Sequence, residues 1–259
     1  IEKEDVESLA VCFLFSFLNP EHEKHVLEKI ITRFPNMHTS ISHQIIPQIK
    51  EFDRLSTTTI NSYVGPKFAS YLTNLKKHLS KFIKDGEILI MQSNGGVLPI
   101  EDSIVSAVNA ILSGPAGGVN GAAHYGQLLG ESKIIGFDIG GTSTDISLIE
   151  DGKPHITNEK FEAGWKIAVP MVDVQTLGAG GGSIARVNGG GILRIGPDSA
   201  GAHPGPACYP SGGSFATVTD ANLILGYLDP KNFLGGKTLL NKYSAEKALF
   251  KHVSNPLEI

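Results

Sequence analysis

Glycine is almost missing from the first 80 residues, where Gly65 stands alone, although the 259-residue chain holds 30. That scarcity excludes a ligand-handling loop region there and points to regular scaffold. Cysteine is scarce throughout: Cys12 and Cys208 cannot build a disulfide framework, so a reducing, cytoplasmic setting is expected. A basic excess is lacking too, with 22 Lys and Arg against 26 Asp and Glu and a formal net charge of −4. No basic face for nucleic acid is expected. Apolar runs are short: Val11 to Leu18 is eight residues, far below the ~20 that span a bilayer. The opening IEKEDVESLA is acidic and holds no apolar signal-peptide core. No Gly-Lys-Ser/Thr follows Gly140-Gly141, so that glycine turn is not a Walker loop, and its glycines open a hairpin rather than a Rossmann helix.

What the chain does contain is the run IIGFDIGGTSTDISLI, Ile134 to Ile149. An apolar strand leads to Asp138, then to Gly140, Gly141, Thr142, Ser143, Thr144 and Asp145, and a second alternating strand follows. This reads as a hairpin whose tip can lie against phosphate. Two glycines admit an oxyanion close to the backbone, and three successive hydroxyls with the turn N–H groups can donate to it. The aspartates at either end cannot touch phosphate without repulsion, which suggests a Mg²⁺ ion between, completed by water. Asp138 is the preferred metal organiser. Asp145 either helps the chemistry or caps the turn. The plain alternative is an ordinary Gly-Gly hairpin.

Elsewhere the chain alternates strands and helices. Glu2 to Ser8 reads as the end of a helix, Leu9 to Phe17 as a central strand, Glu21 to Phe34 as a helix and Thr39 to Ile45 as the next strand. That order is a parallel crossover unit, so the class is α/β. Thr57 to Ile83 reads as a long amphipathic helix that could break at Gly65-Pro66, with Tyr63, Phe68, Tyr71, Leu72, Leu75, Leu79 and Phe82 as its apolar stripe. Short strands follow Gly152, and helices are expected over Ala221 to Leu228 and Ser244 to His252. The expected division is 1–56, 57–133 and 134–259.

Two further clusters carry candidate chemistry. Gly178, Gly180 and Gly181, within GAGGGS, form either a second phosphate loop or a tight turn packed on another backbone. Asp173, five residues before, could serve a substrate or a metal, or cap its strand. Asp198, His203 and Cys208, in GPDSAGAHPGPACYP, could hold Zn²⁺ or Mn²⁺, though the spacing matches no standard zinc signature and a rigid structural loop is the alternative.

Seven blocks in order resemble the hydantoinase/oxoprolinase family, A-type subunit: TTTINSYVGP, MQSNGGVLP, LSGPAGGVNGA, FDIGGTSTDISLI, VDVQTLGAGGGSIARV, GPDSAGAHPGPACY and TVTDANLILGYLDP. The resemblance implies an actin-like ATPase (ribonuclease H-like) fold, incomplete in this chain, with the 140–145 hairpin as the second phosphate loop. It implies ATP-dependent opening of a cyclic amide, of hydantoin or 5-oxoproline type, and a hydantoinase B-type partner subunit or domain. Ketone carboxylation and a non-catalytic scaffold for the B-type partner are the alternatives. It also implies a first Gly-Gly-Thr hairpin before residue 1 and an adenosine-binding glycine motif after residue 259, so this chain is expected to carry one half of a nucleotide cleft.

Overall fold

The computed structural model describes residues 1, 4–83, 86–162 and 164–259. They separate into two compact units, one formed by Ile1–Ile134 with Leu148–Asp173, the other by Ile135–Ser147 with Val174–Ile259.

In the first unit, strand β1 (Ser8–Val11) pairs in parallel with β2 (His38–Ile41) across helix α1 (Glu21–Arg33), the expected crossover. Val11, Ile30 and Ile41 meet between them as a small apolar core. Of the helix end expected over Glu2 to Ser8, Glu2 and Lys3 lie outside the described residues, and Glu4 and Asp5 form a turn. The strand expected to reach Phe17 stops at Val11. Beyond it Leu14, Phe15 and Leu18 are exposed in a turn. Two buried charges bend the chain there. Glu23 accepts from the Phe13 N–H at 2.8 Å, and Arg54 donates to the Phe13 carbonyl at 2.7 Å while lying over the Phe17 ring. Likewise β2 ends at Ile41 and a helical turn, Ser42–Ile45, replaces its expected continuation. The Ser42 hydroxyl and the His43 N–H both donate to Glu23. Burial alone would raise the Glu23 carboxyl, but hydrogen bonds from Ser42, His43 and Phe13 outweigh it and hold it below its ordinary value.

Helix α2 (Glu51–Leu79) starts six residues before the expected Thr57 and runs unbroken through Gly65-Pro66. Acidic Glu51 and Asp53 in its first turn and Lys76, Lys77 and His78 in its last suit the helix dipole. Its buried face differs from the expected apolar stripe: Tyr63, Tyr71 and Phe82 are exposed, and of that stripe only Leu72 is buried. Polar side chains bind neighbouring backbone instead. The Ser56 hydroxyl donates to the Lys166 carbonyl, Thr57 Oγ1 accepts from the Ala168 N–H, and Asn61 spans the Val105 carbonyl and the Val108 N–H. The helix thus docks irregular backbone that would otherwise be buried unpaired. A short hairpin, β3 (Leu89–Met91) and β4 (Val97–Pro99), and helix α3 (Ser113–Leu129) complete what this unit needs for function.

Strands β5 (Ile134–Ile139), β6 (Thr144–Glu150) and β7 (Val174–Leu177) lie in one sheet in the order β7-β6-β5, of which residues 135–139, 144–147 and 174–177 belong to the second unit. A second hairpin, β8 (Ser183–Val187) and β9 (Leu193–Ser199), supports helices α4 (Val218–Ile224) and α5 (Lys242–Leu249). Their core joins Ala185, Ala207, Ala216 and Ala248, with a neighbouring cluster around Cys208, Leu223, Leu240 and Ala245.

Candidate phosphate-binding site

The tip joining β5 to β6 is a tight turn closed by the Gly140 N–H donating to the Ser143 carbonyl at 2.9 Å. Gly140, Gly141 and Thr142 are exposed. Among the described residues, the N–H groups of Gly141 and Thr142 and the hydroxyls of Thr142 and Ser143 have no protein acceptor. A Cβ placed on Gly141 would meet nothing within 4 Å. The tip therefore offers unengaged donors around open space, the chemistry an oxyanion requires. Thr144 differs from its two neighbours: it is buried and its hydroxyl donates to the Ala179 carbonyl. That proton is spent on holding the turn.

The second glycine block is what holds it. The Gly181 N–H donates to the Gly140 carbonyl at 2.9 Å, and the Gly182 N–H to the Gly141 carbonyl at 2.6 Å. A Cβ on Gly180 would stand 2.7 Å from the Thr142 carbonyl carbon and 2.8 Å from Gly140 O, so glycine is required by close backbone approach. The Gly180 N–H is itself taken by Ser183 Oγ at 2.8 Å. The amides of Ala179, Gly180, Gly181 and Gly182 are thus engaged within the protein, and the stretch containing Gly178, Gly180 and Gly181 forms a tight turn packed on the backbone of the 140–143 tip. Helix α4 anchors it from behind, because both the N–H and the hydroxyl of Thr219 donate to the Gly181 carbonyl at 2.8 Å.

The carboxylates divide. Asp138, on β5, is exposed and has no partner among the described residues. Asp145 sits opposite Thr176 in the sheet register and accepts from its hydroxyl at 2.7 Å. Asp138 is thus the carboxylate available to a hydrated Mg²⁺, two residues before the glycines. A magnesium bound through one such carboxylate, with substrate phosphate and water as the other ligands, fits this arrangement. Asp173 belongs to the first unit, where its N–H donates to the His155 carbonyl at 2.8 Å.

The segment with Asp198, His203 and Cys208 does not gather a metal site. Among the described residues no group of three or more His, Cys, Asp and Glu could hold a metal ion. Asp198 pairs with Arg186 on the facing strand. Cys208 is fully buried in the Leu223–Leu240 cluster, and burial, helped by the nearby Asp220 charge, pushes its thiol up to about 12. Packed wholly among those apolar side chains, Cys208 is a core residue. The residue that organises this segment is Asp220, missed in the sequence. Fully buried, it accepts from the N–H groups of Ala207, Cys208 and Thr217 and from the Thr217 hydroxyl. Thr217-Val218-Thr219-Asp220 is a capping box, a Thr-x-x-acid signal readable in the sequence.

Residues 54–259 match the hydantoinase/oxoprolinase family, most of the chain. The chain belongs to that family. Caprolactamase subunit alpha of Pseudomonas jessenii is 39% identical over 257 residues, covering 99% of this chain and 37% of that protein. 5-Oxoprolinase 1 of Arabidopsis thaliana is 43% identical over 235 residues, 88% of this chain and 18% of the other. Among solved structures, the ATP-dependent caprolactamase from P. jessenii matches with a TM-score of 0.80 at 38% identity, and nucleotide-free acetone carboxylase, an ATP-dependent enzyme, with 0.78 at 31%. Both matches cover 100% of this chain and 37% of the solved one. This hydantoinase/oxoprolinase-family chain therefore spans little more than a third of the caprolactamase and acetone carboxylase chains and under a fifth of the 5-oxoprolinase, and it shares its mixed helix-and-sheet fold with the two solved structures over that length.

Proposed function

We propose that this chain is the phosphate-gripping part of an ATP-dependent cyclic amide hydrolase. One observation carries the reading: the Gly140–Ser143 tip has unengaged donors and an adjacent free carboxylate, on a backbone already fixed by a second loop. In this reading the chain supplies the central section of an actin-like ATPase fold and one half of its nucleotide cleft, with the regions 1–56, 57–133 and 134–259 as the end of the first lobe, the connector and the start of the second. A partner subunit fits the naming of the relative as a subunit alpha; a B-type partner is the specific form proposed.

The chemistry follows from amide resonance, which leaves an unstrained ring amide a poor electrophile. Transfer of the γ-phosphoryl group to the ring carbonyl oxygen forms an O–P bond as the bond to ADP breaks. Water then adds to the carbon and the ring nitrogen leaves, and a second water releases phosphate, giving an amino acid, ADP and phosphate. For the first step the backbone N–H groups of Gly141 and Thr142, with the Thr142 and Ser143 hydroxyls, hold the transferring group. Asp138 would hold Mg²⁺, which would supply positive charge against the phosphate oxygens. The acetone carboxylase likeness favours a second reading, in which the activated oxygen belongs to a ketone and carboxylation follows.

The test is Asp138→Asn in the complete polypeptide with any partner it purifies with. Because Asp138 is exposed and makes no bond here, its melting temperature is expected within about 1 °C of wild type, consistent with surface changes of ±0.5 kcal/mol. Lactam-stimulated ATP turnover is expected to fall at least ~100-fold, as when a charge-stabilising group is lost. Turnover retained within a few-fold removes the assignment, and ketone-stimulated turnover without any lactam response favours the carboxylase.

A further inference from the structure

Strands β1 and β2 run in parallel, so their carboxyl ends, Val11 and Ile41, lie side by side. Ligands of open α/β sheets bind outside such ends. Just beyond this pair the chain builds a buried carboxylate that holds an imidazole. Glu23, in the first turn of α1, is fully buried, and its two oxygens take four bonds. Oε1 accepts from the Phe13 N–H at 2.8 Å and from the Ser42 hydroxyl at 2.7 Å. Oε2 accepts from the His43 N–H at 3.0 Å and pairs with His43 Nδ1 at 2.7 Å.

Burial works to raise the Glu23 carboxyl, yet the bonds from Ser42, His43 and Phe13 keep it below its ordinary value, so it is ionised at neutral pH. An ionised carboxylate only accepts. Nδ1 of His43 therefore carries a proton, and in the neutral ring the lone pair belongs to Nε2. That nitrogen has no partner among the described residues and, unlike the sealed Nε2 of His38, it keeps accessible surface. The His43 side chain is 12% exposed, so most of the ring is enclosed while Nε2 stays open. A second carboxylate, Glu21, lies near enough for its charge to act on the ring, and is itself engaged by Lys24 at 2.9 Å. Both carboxylates stabilise the imidazolium that forms when Nε2 takes up a proton. The ring's bond is not needed to satisfy Glu23, which without it keeps Phe13, Ser42 and the His43 main chain.

We propose that His43 is a catalytic base, with Glu23 as its positioning residue, and that the proton it takes comes from the water that opens the activated ring. The inference rests on the cyclic-amide reading above and adds a residue to it. As the water oxygen bonds to the ring carbon, one of its O–H bonds breaks and that proton passes to Nε2. The carbon–nitrogen bond then breaks, and the imidazolium gives its proton to the departing nitrogen. The carbonyl re-forms as the remaining hydroxyl proton passes to solvent.

Single turnovers of the complete polypeptide with any partner it purifies with, using ATP and ε-caprolactam, test this when ADP and the ring-opened amino acid are counted separately. In His43→Ala, which keeps three bonds to Glu23 and is expected to fold, ring opening should slow at least ~100-fold, within the range that general acid–base catalysis supplies. ADP should still form in the first turnover, a step that needs no base. Added imidazole should restore ring opening several-fold. Ring opening at the wild-type rate in His43→Ala would overturn the proposal and leave the proposed function standing. A loss that imidazole does not relieve would overturn it too, because a merely structural ring gives that result. A wild type that forms no lactam-dependent ADP would sink both. Nitrogen NMR of the imidazole in wild type should show the proton on Nδ1 and a bare Nε2, with mixed tautomers in Glu23→Gln. A neutral wild-type ring with its proton on Nε2 would remove the assignment whether or not Glu23→Gln folds.

Discussion

Single side chains decide much of this protein through hydrogen bonds to backbone. His38, buried without such a bond at Nε2, has a pH consequence instead. Burial pushes its imidazole below the ordinary value of 6.5, and its Nε2 has no partner. The neutral ring is therefore the folded form, while the unfolded chain takes up a proton near 6.5. Below that pH the unfolded state binds more protons, so stability is fully present above 6.5 and is lost as pH falls toward the lower folded-state value. Urea midpoints for wild type should drop between pH 7 and pH 5 by more than those for His38→Gln. Parallel curves would show that the ring titrates alike in both states. Residue-level legibility was uneven for physical reasons. The hydroxyls of Thr142, Ser143 and Thr144 look equivalent in sequence, and only the fold reveals that Thr144 turns inward to Ala179. Asp220 carried a readable capping signal, the acid three residues after Thr217.

Between elements, the closest dependence is of the 178–183 loop on the 140–143 tip. Gly180→Ala places a methyl 2.7–2.8 Å from three backbone atoms, none of which can swing aside. A loss of about 3 kcal/mol is expected from such overpacking, read from chemical denaturation followed by a probe in residues 174–259. A wild-type midpoint would mean that the two loops are not in contact in solution. Neighbouring Gly178, where the nearest atom to an added Cβ is 3.9 Å away, is the control and should tolerate alanine. The α/β crossover from β1 to β2 was legible because its hydrophobic pattern and helix charges agree. Helix α2 was less so: its buried face is Ser, Thr and Asn, and an apolar-stripe search follows Tyr63, Tyr71 and Phe82, which face solvent. Polar side chains bonded to a neighbour's backbone leave no period in hydropathy.

On the scale of the molecule, the open edge of the second unit's sheet is apolar. β5 ends the strand order β7-β6-β5, and Ile135, Phe137 and Ile139 are 68%, 60% and 58% exposed. An apolar edge strand of this kind is a template for another chain. The 259 residues expressed by themselves are expected to bind anilinonaphthalene sulfonate and to self-associate, and Phe137→Ser should reduce both. A monomer that leaves the dye dark would show the edge to be covered in solution. The two-unit division is hard to read from sequence because it is not contiguous: residues 135–147 belong with 174–259, while 148–173 return to the first unit. Composition does not mark a chain that leaves a unit and comes back.

Because the amides of Gly181 and Gly182 clamp the tip from behind, its donors are already aligned in the empty protein. An arriving anion there would meet a stiff receptor and surrender little of its binding energy to immobilising loosely moving peptide.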